Sequence, residues 1–203
     1  MENNNSRIAK KALVVEMFSI SWMLVEFLVG FIAGIKAHSI LLIAFGLDSI
    51  LEVIAGSILI WRLRKEFNGN NVTGIKRAEE QAEKLINWIL VLLSIYIVAN
   101  SIFNLVTRET SDRSTSGIII SIASLIIMPI LIVLKRRLGH QLNSEALIEE
   151  SMCNVTCAAL AATVLIGIVL TQLFNLWWAE SVAALGVAFL IAKEAVPELI
   201  TKD

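Results

Sequence analysis

Residues 39–61 of the chain read SILLIAFGLDSILEVIAGSILIW, a long apolar run in which only Asp48 and Glu52 carry a charge. About 20 consecutive apolar residues are enough for an α-helix to cross the hydrocarbon core of a bilayer. The run therefore predicts a membrane-spanning helix that carries two carboxyl groups near its middle.

The composition of the whole chain agrees with this prediction. Of its 203 residues, 57% are hydrophobic and 17% are charged, whereas soluble domains average about 45–50% and about 25%. The net charge is -1, so the chain lacks the positive field with which proteins bind nucleic acid. Two cysteines in a chain of this length cannot build a small disulfide-rich secreted scaffold. The remaining class is a polytopic protein whose surroundings are the lipid bilayer.

Six apolar runs predict six membrane-spanning helices, packed as an all-α bundle. The alternation of polar and apolar residues that marks membrane β-barrels is missing from these runs. The predicted spans are 12–35, 39–61, 85–106, 118–134, 149–173 and 176–192. An N-terminal tail, 1–11, precedes them and a C-terminal tail, 193–203, follows them.

The distribution of Lys and Arg predicts the orientation of the bundle. With the N-terminus in the cytoplasm, all of these residues except Lys36, Arg108 and Arg113 fall on the cytoplasmic side. Cytoplasmic segments of membrane proteins carry such an excess of positive charge. We therefore expect a multi-pass protein of the cell membrane with both termini in the cytoplasm.

Asp48 and Glu52 are the first candidates for function. A carboxylate at the centre of a spanning helix costs on the order of 3 kcal/mol and usually faces a partner or an aqueous cavity. Residues four apart lie on one face of a helix, about 6 Å from each other. Two negative charges held this close repel each other unless they share a proton or a cation. The pair predicts a cation site, and two protonated carboxyls that only join helices are the alternative.

Cys153 and Cys157 repeat the same spacing in the fifth span. Buried cysteines often serve only as small apolar side chains. Thiolates, however, bind zinc, cadmium, copper(I) and iron, and two carboxylates with two thiolates would complete a tetrahedral site. We therefore predict Asp48, Glu52, Cys153 and Cys157 as metal ligands.

Three further residues are alternative or supporting candidates. Glu150 and Asn154 form another pair four residues apart in the fifth span and offer oxygen ligands if the register differs. Glu26, inside the first span, is a candidate for proton transfer or for orienting a ligand. It is equally compatible with a neutral carboxyl that bonds a neighbouring helix.

Four stretches resemble the cation diffusion facilitator, or cation efflux, family. They are HSILLIAFGLDSILEVIAGSILIWRL at 38–63, YIVANSIFNLVTRE at 96–109, MPILIVLKRRLG at 128–139 and LWWAESVAALGVAFLIAKEA at 176–195. The family's second helix carries Asp or His and, four residues later, Asp, and these positions match Asp48 and Glu52. Its fifth helix carries a similar pair, which falls on Cys153 and Cys157. The resemblance is greatest to a compact branch without the usual cytoplasmic C-terminal domain.

The resemblance implies a homodimer that exports a divalent cation from the cytoplasm. Metal ligands must be deprotonated to bind, so metal and protons compete for the site, and proton-coupled transport is expected. Zinc is the first choice of substrate, with cadmium, iron, cobalt and manganese as further candidates, and no prosthetic group is expected. A membrane enzyme is not predicted, because the chain has no nucleotide-binding or nucleophile motif. A non-transporting metal sensor or partner subunit of the same family is the alternative.

Overall fold

The computed structural model describes the backbone of residues 2–67, 72–142 and 144–201. Within these ranges it describes all side chains except those of residues 2–6, 59, 62–67, 72–86, 145–146, 149, 152–153, 156, 194–195 and 197–201. In this part of the chain the regular structure is entirely helical.

The helices follow one another with short connections: α1 (Glu2–Ala37), α2 (Ile40–Phe67), α3 (Val72–Thr107), α4 (Thr115–Leu142), α5 (Glu145–Phe174) and α6 (Ala179–Thr201). Each helix overlaps one predicted span, and the all-α six-helix bundle is confirmed. Five of them contain described stretches that are long and apolar enough to cross a membrane. α1 already begins at Glu2, so residues 2–11 of the predicted N-terminal tail are part of this helix.

Three helices end at residues with left-handed backbone geometry. His38, Arg108 and Asn175 have φ angles of 51°, 59° and 52° and follow α1, α3 and α5. Such residues commonly terminate helices, because they turn the chain away from the helix axis. Because the helices alternate in direction, these three turns share one side of the bundle, the far face, and the N-terminus lies on the opposite side, the N-terminal face.

Four helices form a closed unit around the centre of the bundle. α1 packs against α2 and α4, and α5 packs against α4 and α2. The remaining two helices, α3 and α6, pack against each other and lie along α2 and α5. The contact between the two groups is apolar over most of its length, with Leu41, Leu42, Leu160, Ala184 and Val187 in one buried cluster.

The distribution of polarity is the reverse of that in a soluble protein. Large apolar side chains such as Leu92, Val106 and Phe189 are exposed on the outside of the bundle, where they match the hydrocarbon of a bilayer. Charged residues such as Glu26 and Lys135 are buried inside it. The charged groups buried in the interior are therefore the first candidates for function.

A close backbone approach and two side-chain hydrogen bonds hold the helices together near the far face. Gly34 of α1 lies so close to α2 that a Cβ placed on it would stand 2.6 Å from the backbone nitrogen of Ile43. Small residues allow membrane helices to approach in this way. At the start of α6, the buried carboxylate of Glu180 accepts hydrogen bonds from the hydroxyls of Ser39 and Ser111. These contacts hold α1, α2 and α6 together at one end.

Candidate metal centre

The predicted carboxylate pair meets a cysteine from another helix. Asp48 and Glu52 lie one turn apart on α2, and Cys157 of α5 faces them. One ligand atom from each of the three residues lies within 4.8 Å of the other two. The sulfur of Cys157 is 4.0 Å from Oδ2 of Asp48. The structure thus brings together three of the four residues predicted as ligands.

Asp48, Glu52 and Cys157 lie mostly in the interior of the bundle. Cys157 is fully buried and packs in an apolar cluster with Met23, Met128 and Leu131. Asp48 is also buried, with 8% of its surface exposed. A charged group in such surroundings is costly unless a partner of opposite charge compensates it. Two carboxylates and a thiol at this separation are therefore well suited to bind a cation.

Asn154 is a further polar side chain, and it lies on the same face of α5 as Cys157. It is fully buried, and neither its oxygen nor its nitrogen has a hydrogen-bond partner among the described residues. Oε2 of Glu52 is buried and lacks a hydrogen-bond partner within the same set of residues. Leaving a buried polar group unbonded costs about 1–3 kcal/mol. A cation bound between α2 and α5 would give the oxygens of Asn154 and Glu52 a partner that the described protein groups do not provide.

The side chain of Cys153, the fourth predicted ligand, lies outside the described residues. Its position on α5, four residues before Cys157, is that of the next turn of the helix on the same side. Its participation in the centre remains a prediction.

Glu26 lies beside the centre and is held by neighbouring side chains. Its Oε1 accepts hydrogen bonds from Nε1 of Trp22 and from the hydroxyl of Ser124, both at 2.5 Å. Its Oε2 is 3.4 Å from the hydroxyl of Ser49, the residue that follows Asp48. Glu26 therefore joins α1, α2 and α4 beside the candidate centre, and its part in proton transfer or in metal binding remains a prediction.

Glu150, the alternative oxygen ligand, lies in an ion pair. Its Oε1 is 2.9 Å from Nζ of Lys135, which also lies 3.2 Å from Oε2 of Glu16. This ion pair was not predicted from the sequence, because Lys135 begins a basic run that was counted on the cytoplasmic side. The helical register carries the missing signal: Lys135 follows the buried residues Met128 and Leu131 at intervals of seven and four.

The donor set defines what the centre can bind. Carboxylate oxygens suit zinc, manganese, iron and cobalt, and a thiolate adds affinity for zinc and cadmium. All three donors must lose their protons to bind a metal fully, so metal binding releases protons. Asp48, Glu52 and Cys157 together are therefore a candidate site for a divalent transition-metal ion.

The chain is similar to several known proteins. The chain is 28% identical over 159 residues to transmembrane protein 163 of Xenopus laevis, covering 77% of this chain and 54% of that protein. It is 28% identical over 192 residues to the manganese efflux system protein MneS of Bacillus subtilis (strain 168), covering 92% and 65%. It is 25% identical over 165 residues to the magnetosome protein MamB of Magnetospira sp. (strain QH-2), covering 80% and 56%.

The chain thus spans between about half and two thirds of the length of these relatives. Residues 17–202, nearly the whole chain, match the family described as the cation efflux transmembrane domain. The protein is therefore a multi-pass integral membrane protein that belongs to the cation efflux family.

Proposed function

We propose that the protein transports a divalent transition-metal cation across the cell membrane through the centre formed by Asp48, Glu52 and Cys157. The observation that carries the proposal is the convergence of these three donors, from two helices, within 4.8 Å of one another. Buried ionisable groups in membrane helices commonly mark an ion pathway. Membership of the cation efflux family supports the same role, which is that of a transporter rather than an enzyme.

Each donor has a distinct part in this proposal. Asp48 and Glu52 supply oxygen ligands from α2, and Cys157 supplies sulfur from α5. Asn154 supplies a neutral oxygen, and Cys153 is the further sulfur ligand proposed from the sequence. The thiolate favours zinc and cadmium, whereas the carboxylate pair also suits manganese, the metal named for the Bacillus relative. We place zinc first, followed by manganese, cadmium, iron and cobalt.

The direction of transport follows from competition between metal and protons. Protons from the outside displace the metal, and the metal displaces protons on the cytoplasmic side. Exposing the centre to the two sides in turn then exports the metal at the expense of the proton gradient. Both termini lie in the cytoplasm in this scheme, as the positive-inside rule predicts, and the working unit is a homodimer.

Metal-dependent proton flux in proteoliposomes tests the proposal. The purified protein is reconstituted with a pH-sensitive dye inside the vesicles and challenged with zinc, cadmium, manganese, iron(II) and cobalt. Asp48→Asn should reduce flux at least about 100-fold, comparable to the loss of a central charged group worth about 3 kcal/mol. Asp112→Asn is the matched control, because Asp112 is an exposed acid at the far face.

Two outcomes would contradict the proposal. Equal flux in the wild type and in Asp48→Asn would remove the centre from the transport route. Tight metal binding at Asp48 without any flux would identify a metal sensor or a partner subunit instead.

A further inference from the structure

A second group of buried charges lies outside the metal centre. The ammonium of Lys135 on α4 lies between the carboxylates of Glu16 on α1 and Glu150 on α5, at 3.2 Å and 2.9 Å. The side chains of Lys135 and Glu16 have no exposed surface, and that of Glu150 has 11%. We call these three residues the Lys135 triad. Burying charges costs several kcal/mol per ion, and apolar residues can join helices without that penalty, so the triad calls for a functional explanation.

The triad lies next to the metal centre along α2. Asp48, Glu52 and Gly56 occupy successive turns of this helix. A Cβ on Gly56 would stand 3.0 Å from Oε1 of Glu16 and 3.3 Å from Oε1 of Glu150. Successive turns are about 5–6 Å apart along the axis. The triad is therefore one turn from Glu52, on the side of the N-terminal face.

The helix α5 also extends from the Lys135 triad to the metal centre. Glu150 lies seven residues before Cys157, and Asn154 lies between them on the same side of the helix. Asn154 is fully buried with both polar atoms unbonded by any described residue. Polar groups from α2 and α5 thus continue from the triad to the metal centre. A cation that travelled along these polar groups between that centre and the N-terminal face would pass the triad.

The triad already binds a cation, the ammonium of Lys135. Lys carries a compact charge on a flexible stem and exchanges its partners easily, whereas Arg holds carboxylates through a rigid fork. When both carboxylates are ionised, one ammonium leaves them with an excess negative charge, and a divalent cation in its place neutralises both. In that state the local charge balance improves when the divalent ion replaces the ammonium.

We propose that Glu16 and Glu150 form a second cation site on the transport route, in which the Lys135 ammonium and the transported divalent cation replace each other. The inference rests on transport through the centre at Asp48, as proposed above. Lys135 closes this site between transport events and holds its carboxylates in place. The passing metal ion displaces it for as long as the metal binds there.

Lys135→Arg tests the replacement without removing the charge. An arginine keeps both ion pairs but leaves them less readily, so flux should fall about tenfold, as for an added barrier of about 1.4 kcal/mol. Metal affinity at the central site should stay within about twofold of the wild type, a change below about 0.4 kcal/mol. Arg136→Lys, in the next and exposed position of α4, is the matched control. Unchanged flux in Lys135→Arg would show that the triad only holds helices together.

Lys135→Met tests the site directly, with manganese as the probe. Equilibrium dialysis should find one more bound Mn²⁺ per chain than in the wild type, and Lys135→Met combined with Asp48→Asn should retain this additional ion. Addition of Glu16→Gln and Glu150→Gln should remove it. No additional ion in a folded Lys135→Met variant would overturn the proposal. A loss of flux in Asp48→Asn alone tests the central site independently, so failure of either proposal can be recognised.

Discussion

The sulfur of Cys157 on α5 lies 4.0 Å from Oδ2 of Asp48 on α2. The two residues are 109 positions apart in the chain, and both are buried. Sulfur is a soft donor that favours zinc and cadmium, whereas carboxylate oxygen is a hard donor that also suits manganese. The choice of metal should therefore depend on the balance between these two side chains.

Replacing the sulfur should change the metal preference. Cys157→Asp converts the centre to oxygen donors, which bind cadmium less well and manganese better. We expect the ratio of cadmium to manganese affinity to fall at least about tenfold, or about 1.4 kcal/mol, measured by competition between the two metals in equilibrium dialysis. Cys153→Asp, made separately and together with Cys157→Asp, shows whether Cys153 is also a ligand. An unchanged ratio in the double variant would mean that neither sulfur contacts the ion.

Asn154 should oppose folding while it supports metal binding. Asn154→Leu replaces a buried amide that no described residue bonds with an apolar side chain of similar size, which should stabilise the metal-free protein by about 1–3 kcal/mol. The same change removes an oxygen ligand and should weaken metal binding about tenfold, or about 1.4 kcal/mol. Thermal unfolding with and without metal measures both effects. A variant that loses stability without metal would show that the amide has a protein partner.

Glu26 should contribute more to structure than to binding stoichiometry. Glu26→Leu leaves the indole N–H of Trp22 without its acceptor and the hydroxyl of Ser124 with only the carbonyl of Ile120, so unfolding should become easier by about 1–3 kcal/mol. Glu26→Gln keeps one acceptor oxygen and should lose less. Both variants should still bind the metal, as isothermal titration can establish. A complete loss of binding in Glu26→Gln would instead make Glu26 a ligand.

The glycine at the crossing of α1 and α2 should not tolerate a side chain. In Gly34→Ala the added Cβ would meet the backbone nitrogen of Ile43 at 2.6 Å, which no side-chain rotation relieves. We expect a loss of about 1–3 kcal/mol in thermal unfolding. Gly186→Ala is the control, because a Cβ there meets no atom within 4 Å, and it should stabilise α6 by up to about 1 kcal/mol. Equal stability of the two variants would contradict the close crossing.

The sequence is most informative where the bilayer imposes a single requirement. Helices must be long and apolar to cross it, so the six helices could be predicted from the apolar runs. Asp48 and Glu52 could be identified because a charge inside such a run is conspicuous. The contact between Asp48 and Cys157 depends on how α2 packs against α5, which the spacing within either helix does not determine.

Lys135 shows why other parts of the interior could not be predicted. It stands beside Arg136 and Arg137, and basic residues at the end of a span usually lie at the membrane surface. Arg136 and Arg137 are indeed exposed, whereas Lys135 points inward to Glu16 and Glu150. Adjacent residues of a helix point in different directions, so Lys135 and Arg136 lie in different environments. A count of positive charges per segment does not distinguish these two positions.

The hydrogen bonds of Glu180 restrict how α6 can move against α2. They connect the first turn of α6 to Ser39 and Ser111 near the far face, whereas the contact further along the helices is apolar. Hydrogen bonds depend on direction, but apolar surfaces can slide over each other at little cost. A change of tilt between the α3–α6 pair and the other four helices would therefore pivot about Glu180 and have its largest amplitude at the opposite end, on the N-terminal face.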